Sequence, residues 1–231
     1  MILFNDIDLL TVAAVDIEDI KVSGVQLQQT ARQRAVAAGS DFVRSRAGGR
    51  TVTVTFAILQ RDLATRAATL DAISAWAKTD KEYKLEIIGH PEKHLMAVCT
   101  EKPSPSLRQW WESKLRLVFT CISDPYWIGT EKSVACGTAF QVLGDAAPLM
   151  RIERTLSGAA SNQSYAMDGR TMTFSTIPAG NMVIDLNAQT AKVGTTSIMQ
   201  YYNINSKFIQ PRTGNMTITG TGTVKYRERF E

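Results

Sequence analysis

The chain offers few side chains whose types and spacing could perform catalysis. Its only two histidines, His90 and His94, stand four residues apart, a spacing that holds a metal ion only on a helix. A proline lies between them and both flanks have strand-like patterns, so a helix is not expected there. The three cysteines, Cys99, Cys121 and Cys136, lack C-x-x-C spacing, and no G-x-S-x-G motif occurs. We therefore expect no catalytic residue, no metal site and no cofactor.

Two glycine motifs could in principle bind phosphate, and one aspartate could in principle act as a general base. The pair Gly48-Gly49 lacks the phosphate-loop pattern and precedes a strand, where a phosphate loop needs a helix. The Gly220-x-Gly222 motif has no following helix whose dipole could hold a phosphate. Asp185 stands alone in the middle of the predicted strand V-I-D-L, which favours a structural role over that of a general base.

Positive charge is concentrated in one segment, between Gly24 and Arg50. Its five arginines face a single acid, Asp41, so this segment alone carries the chain's formal net charge of +4. A solvated loop, a phosphate or nucleic-acid contact and an arm that grips another protein all stay open at this point. No nucleic-acid-binding motif frames the arginines, and Phe42 is the only aromatic residue nearby, so sequence-specific nucleic-acid binding is disfavoured.

Composition places the chain among ordinary globular proteins. Its 231 residues, 44% hydrophobic and 21% charged, can form one large or two small domains. The N-terminus lacks a secretory signal pattern, and no apolar run approaches the roughly 18 residues of a membrane span. An odd number of cysteines without a signal predicts reduced thiols in a cytosolic setting.

Hydrophobic periodicity predicts a first domain, residues 1–130, with one long helix. Strands are predicted at 1–4, 17–22, 51–56, 83–88, 95–100 and 113–121, the third with Val52, Val54 and Phe56 on one face. The helix is predicted over residues 62–78, with Asp62 as its N-cap and Leu63 at the start of its buried stripe. Residues 24–50 have little apolar periodicity and no predicted element.

The second predicted domain, residues 131–231, contains only strand patterns. They lie at 139–142, 149–156, 171–177, 182–186, 191–193, 216–219 and 223–230. Short strands at regular spacing, each with one apolar face, predict a β-sandwich. The expected fold class is therefore mainly β, of the α+β type.

Four motifs in order resemble the distal tail proteins (Dit) of long-tailed, non-contractile, siphovirus-type bacteriophages and prophages. They are G-G-R-T-V-T-V-T-F before a helix, K-L-R-L-V-F-T-C-I-S-D-P-Y-W-I-G, A-A-P-L-M-R-I-E with G-N-M-V-I-D-L-N, and the final G-N-M-T-I-T-G-T-G-T-V-K-Y-R-E-R-F-E. They span nearly the whole chain, and the first thirty residues match least. At 231 residues the chain is similar to the short form, which has no inserted carbohydrate-binding module.

The resemblance implies a structural protein of the tail hub, not an enzyme. It implies a β-sandwich-like first domain that forms a ring, usually a hexamer, with a long arm reaching around the neighbouring subunit, and a galectin-like β-sandwich as the second domain. The implied partners are the tail tube protein, the tape-measure protein, the tail-associated baseplate protein and a receptor-binding protein. The implied location is the virion tail tip, after assembly in the host cytoplasm.

The basic segment, residues 24–50, would be this arm. An arm with few apolar residues can lie on a neighbour by strand addition, with arginines paired to carboxylates. The carboxylates considered are Glu18, Asp19, Asp71, Glu82 and Glu86. The residues expected at the interface are Arg32, Arg34, Phe42, Arg44, Arg46, Gly48, Gly49 and Arg50.

A carbohydrate-binding module for host adhesion is the alternative function. Galectin-like folds bind sugar with a tryptophan and a set of polar residues, and no tryptophan or histidine follows Trp127. That absence argues against a working sugar site and favours a docking platform for receptor-binding proteins.

Overall fold

The computed structural model describes residues 1–33, 40–60, 62–103 and 114–231, and only the backbone within 27–33 and 40–46. Strands make up 55% of the chain and helices 10%, so the predicted mainly β fold class is confirmed. Two compact units are present, the first formed by 1–127 with Glu231 and the second by 128–230. The predicted domain limits, 1–130 and 131–231, remain predictions about parts that fold independently.

The described residues of the first unit form an antiparallel sheet and two helices. Its strands are β1 (Ile2–Phe4), β2 (Ile7–Asp8), β3 (Val15–Val22), β4 (Leu27–Gln33), β5 (Ser40–Ala47), β6 (Arg50–Ile58), β7 (Tyr83–Ile87), β8 (Lys93–Glu101) and β9 (Leu115–Cys121). The sheet order is β3-β6-β9-β8-β7-β1-β2, and β4 and β5 form a separate two-stranded sheet. Strand β6 pairs with β3 on one side and β9 on the other, and its alternating valine and threonine bury Val52 and Val54 completely, as the sequence predicts.

The helices in the described part of this unit are α1 (Leu9–Val12) and α2 (Leu63–Trp76). The α2 helix begins where predicted, because the Asp62 carboxylate accepts a hydrogen bond of 2.9 Å from the Thr65 backbone N–H. The prediction that Leu63 is buried is wrong, since it is 56% exposed. Arg66 is buried in the first turns of α2 instead, and its guanidinium donates to the Gln60 carbonyl at 3.2 Å. No described helix is long and apolar enough to cross a bilayer.

An aromatic cluster fixes the curvature of the first sheet. The Phe4 ring on β1 lies 5.0 Å from the Phe119 ring on β9, and Trp76 of α2 lies 5.7 Å from Phe4 and 6.1 Å from Phe119. Two strands, β7 and β8, separate β1 from β9. In a flat sheet three strand spacings of about 4.8 Å would keep the two phenylalanines far apart. The sheet must therefore curl around the cluster, and α2 closes it.

The second unit is built from strands. They are β10 (Trp127–Ala135), β11 (Ala139–Val142), β12 (Ala146–Leu156), β13 (Ala160–Met167), β14 (Arg170–Ile177), β15 (Gly180–Asp185), β16 (Thr190–Val193), β17 (Thr196–Ser197), β18 (Gly214–Thr217) and β19 (Thr223–Phe230), with a 3-10 helix at Met199–Tyr201. The main sheet runs β17-β16-β15-β12-β19-β10, and two hairpin sheets, β11-β18 and β13-β14, complete the unit.

The core of the second unit lies between the main sheet and the hairpin sheets. Ile152, Ile184 and Val224 contribute from the main sheet and Met172 and Phe174 from β14, all completely buried. This two-layer arrangement is a β-sandwich.

The Gly220-x-Gly222 motif forms the turn that leads into β19. At φ 126°, Gly222 has a backbone conformation that favours glycine, and a Cβ there would lie 2.6 Å from the Glu153 carbonyl oxygen. The motif is therefore needed for the turn. Asp185 also has a structural role, as predicted, because its carboxylate accepts hydrogen bonds from the backbone N–H groups of Asn187 and Ala188.

Candidate assembly interface

The basic segment contains a β-hairpin, which the sequence analysis did not predict. Strands β4 and β5 pair antiparallel, from Leu27 opposite Ala47 to Gln33 opposite Ser40. Within the described residues, each pairs with no other strand and so keeps one free edge. Seven residues at roughly 3.3 Å each make an arm about 23 Å long. Unpaired edges of this kind are the sites at which another chain adds a strand.

The arginines differ in how far the structure describes them. Arg34 lies outside the described residues, and Arg32, Phe42, Arg44 and Arg46 are described by their backbone positions only. In the hairpin register, Arg32 stands opposite Asp41, the only acid of the segment. The place of these arginines in a subunit interface remains a prediction.

The root of the hairpin is held by a short ladder of hydrogen bonds. The Gln26 N–H donates to the Gly49 carbonyl at 3.1 Å, and the Gly48 N–H donates back to the Gln26 carbonyl. Below these, the Ser23 N–H donates to the Thr51 carbonyl at 2.9 Å. These backbone hydrogen bonds connect the base of the hairpin to the start of β6.

Glycine is suited to position 49 because the backbone of β9 lies close to it, and not because its φ is positive. Its φ lies outside the left-handed region, whereas a Cβ at this position would lie 3.2 Å from the Cys121 carbonyl oxygen. The contact is with β9, the strand paired to β6 at Arg50 and Cys121. A side chain at residue 49 would press on this pairing, at the point where the arm enters the sheet.

Arg50 is buried at the base of the arm, with 3% of its surface exposed. Its guanidinium carbon lies 6.0 Å from the centroid of the Trp127 ring, and its Nε and Nη1 atoms have no hydrogen-bond partner among the described residues. Loss of hydration through burial lowers the pKa of the Arg50 guanidinium. In the single chain Arg50 therefore contacts its own unit.

Four of the five carboxylates considered for the arm already have partners. Glu18 lies 2.8 Å from Lys114 Nζ, Asp19 lies 3.4 Å from Lys21 Nζ and Glu86 lies 2.7 Å from Lys84 Nζ. Glu82 accepts two backbone hydrogen bonds of 2.8 Å, from Ile122 and Ser123. Asp71, exposed on α2, is the one of the five without an ion pair or hydrogen bond within the described part of the chain.

The first unit also exposes large apolar side chains. Leu59, Ile88 and Ile122 are each more than 60% exposed. Others in this unit, exposed to about half, are Met1, Ile7, Leu10 and Leu63. Scattered exposed apolar residues are common, but seven in one small unit supply surface that an assembly can bury.

The histidine His90 and the cysteine Cys121 lie in surroundings that favour packing over catalysis. The His90 ring lies 4.4 Å from the Trp127 ring, and the described residues contain no group of three potential metal ligands. Cys121 is completely buried, and this burial raises the pKa of its thiol from 9.0 to about 12. A thiol held in its neutral form is a weak nucleophile.

The Cys121 pKa predicts a pH-dependent contribution to stability. Because the folded-state pKa is raised, the contribution is complete below the unfolded-state value of 9.0 and is lost as pH rises toward about 12. We expect the free energy of unfolding, measured with urea at pH 8 and pH 10, to fall more in the parent than in Cys121→Ala. Equal losses in both proteins would contradict the assigned pKa.

Comparison with solved structures establishes the fold of the whole chain. The crystal structure of the SPP1 Dit (gp 19.1) protein matches with a TM-score of 0.80 and 16% identity, over 100% of this chain and 98% of that one. SPP1 Dit is described as a paradigm of the hub adsorption apparatus in phages that infect Gram-positive bacteria. The shared fold thus includes both units.

Other comparisons add little. Two structures of the phage P2 baseplate in its activated conformation, with Ca and with Sr, match at a TM-score of 0.48 and 10% identity. They cover 96% and 94% of this chain, and 92% and 90% of theirs, but a TM-score below 0.5 does not establish a shared fold. No protein-family model matches the chain, and no curated protein matches it significantly.

Proposed function

We propose that this chain is a distal tail protein, a structural component of the tail hub of a long-tailed, non-contractile bacteriophage or prophage. The observation that carries the proposal is the fold match to SPP1 Dit over both entire chains. The four ordered sequence motifs support it independently, since they belong to the sequence and do not depend on the fold match. In this role the protein acts by assembly and not by catalysis.

We infer that the working form is a ring, with six subunits as the expected number. A ring needs heterologous contacts, in which one surface of a subunit meets a different surface of the next. The hairpin β4-β5 is suited to be one of these surfaces, because its free edges can pair with a neighbouring strand. The exposed apolar side chains of the first unit are suited to the other, with Leu59 and Ile88 among the most exposed.

The proposed partners follow from a position between tail tube and tail tip. The ring would lie between the last tail tube ring and the tail-associated baseplate protein, and the tape-measure protein would pass through its channel. The second unit, with its β-sandwich, would offer a docking platform to a receptor-binding protein. The proposed location is the virion tail tip, with assembly in the cytoplasm of the bacterial host.

A mass measurement tests the proposed function. Six copies of the 25.5 kDa chain make a particle of about 153 kDa, which light scattering distinguishes from a monomer. Negative-stain images should show six-fold rings. A protein that stays at 25.5 kDa at high concentration, alone and with its tail tube partner, would contradict the hub assignment.

A charge reversal tests whether Asp71 receives an arm arginine. Asp71→Arg should raise the subunit concentration at which half of the protein is assembled by about two- to fivefold per interface, as expected for an exposed ion pair of up to 1 kcal/mol. Adding Arg46→Asp should restore assembly.

The matched control for this test is Glu92→Arg. It makes the same change of charge at another exposed residue of the first unit. Equal weakening by the control and Asp71→Arg would exclude Asp71 as the partner, whereas no rescue by the double variant would exclude Arg46 as the arginine that it receives.

A further inference from the structure

An open cleft in the second unit has the lining of a ligand site. It lies between β14 and the loop that follows the 3-10 helix, and it encloses about 420 Å³, within the range of roughly 300–1,000 Å³ typical of small-molecule sites. We name it the tyrosine cleft. The residues that carry the argument are Asn162, Thr173, Ser175, Gln200, Tyr201 and Asn203.

The polar groups of the tyrosine cleft are neutral and largely uncommitted. No aspartate, glutamate, lysine or arginine lines it. Within the described residues, no hydrogen bond engages the side-chain amides of Asn162 and Gln200 or the hydroxyls of Thr173 and Tyr201. These groups offer donors and acceptors to a ligand, but they offer no charge to balance an ion.

One wall of the cleft is anchored before any ligand arrives. The Tyr202 hydroxyl donates to the Ser206 carbonyl at 2.9 Å, and the Tyr202 ring packs 5.7 Å from Phe174 and 5.2 Å from Phe208. The Asn203 N–H donates to the Thr173 carbonyl at 3.0 Å, which ties the loop to β14. A wall that is already ordered lowers the entropic cost of binding.

Two neighbouring depressions share lining residues with the tyrosine cleft. Thr173 and Asn203 also line a neighbouring depression that reaches Lys207. Gln200 and Tyr201 also line a second depression on the other side, next to Pro178. Lys207 is the one charged residue among those lining the cleft and these two depressions.

From this geometry we propose that the tyrosine cleft binds a neutral oligosaccharide. Sugars present hydroxyl groups at their edges and an apolar C–H face, which match uncharged amides and hydroxyls around a tyrosine ring. The missing tryptophan and histidine argue against a sugar site in the sequence alone, but the structure places Tyr201 in the cleft, where it can supply the aromatic surface. The proposal holds whether or not the chain forms a ring.

Saturation-transfer NMR with the full-length protein tests the proposal. It detects weak ligands regardless of assembly size, and the probes are maltohexaose, cellohexaose and chitohexaose, followed by a neutral-glycan array. We expect at least one probe or array glycan to bind with a Kd on the order of 1 mM, as befits an open cleft. Tyr201→Ala and Gln200→Ala should each weaken binding by about fivefold or more.

The matched control is Gln141→Ala. Gln141, like Gln200, is an exposed glutamine of the second unit, but it lies on β11 outside the cleft, so binding should be unchanged. Circular dichroism of each variant verifies folding, and Tyr201→Phe, which keeps the ring, should lose less affinity than Tyr201→Ala. The proposal is overturned if no neutral glycan binds, if only anionic glycans such as polygalacturonate bind, or if Tyr201→Ala binds like the parent.

Discussion

Excision of the hairpin β4-β5 is expected to convert the assembled protein into monomers while both units remain folded. The hydrogen bonds of Gln26 with Gly48 and Gly49 bring the two ends of the hairpin together, so residues 27–47 can be replaced by Asn-Gly, the preferred two-residue hairpin turn. The pairing of β3 with β6 below this point is kept. The assembly loses the free strand edges and four of the five clustered arginines.

The expected effect is large because strand addition contributes several backbone hydrogen bonds at every interface of a ring. Each net bond stabilises by about 1 kcal/mol, so losing four or more raises the assembly concentration by over a hundredfold. Light scattering measures the mass, and circular dichroism with a thermal melt measures the fold. If rings of parental mass persist, the hairpin is not the arm that joins subunits.

A loop replacement elsewhere in the chain controls for the effect of replacing a segment by Asn-Gly. Residues 157–159 form an exposed connection between β12 and β13 in the second unit, and Asn-Gly can replace them. This variant should retain the parental mass. Loss of assembly in the control would mean that loop replacement alone, and not the missing hairpin, disturbs the ring.

Phe119→Ala is expected to destabilise the first unit by about 3–5 kcal/mol. Phe119 is completely buried and its ring contacts both Phe4 and Trp76, so alanine leaves a cavity where the curved sheet and α2 meet. A loss of this size is a large fraction of the roughly 5–15 kcal/mol that stabilises a typical domain.

Calorimetry of the monomeric, hairpin-excised protein measures this effect without a contribution from assembly. The transition of the first unit should fall by more than about 10 °C, and that of the second unit should stay in place. Phe174→Ala, at a completely buried ring of the second unit, should move the other transition. A loss below about 1 kcal/mol for Phe119→Ala would show that the aromatic cluster does not support the sheet.

The sequence predicted the strands that obey a simple alternation. From Thr51 to Phe56 in β6, inward apolar residues alternate with outward threonines, and β9 keeps the same alternation except at Val118, because each strand has one face in the core. The start of α2 was also predictable from the sequence, since Asp62 caps the helix through a local hydrogen bond. These signals act over a few residues and do not depend on the rest of the fold.

Elements without such alternation were missed. The hairpin β4-β5 pairs within itself as a separate two-stranded sheet, so its residues follow no core-facing pattern. Strand β13 is mostly polar, and its pairing with β14 defines it. Arg66 replaces Leu63 as a buried residue of α2 because its long apolar stem can be buried while its guanidinium reaches the Gln60 carbonyl.

The sequence by itself determined the mainly β fold class, the helix, the local charge of the arm and the resemblance to distal tail proteins. Each of these depends on composition, on short-range periodicity or on motifs in a fixed order. Only the tertiary structure decided that the basic segment contains a hairpin, that Arg50 lies buried over Trp127 and that a neutral cleft forms around Tyr201. The contact of Arg50 with Trp127 and the cleft depend on residues far apart in the chain, which sequence spacing does not encode. The hairpin is local, but its residues follow no core-facing pattern that would predict it.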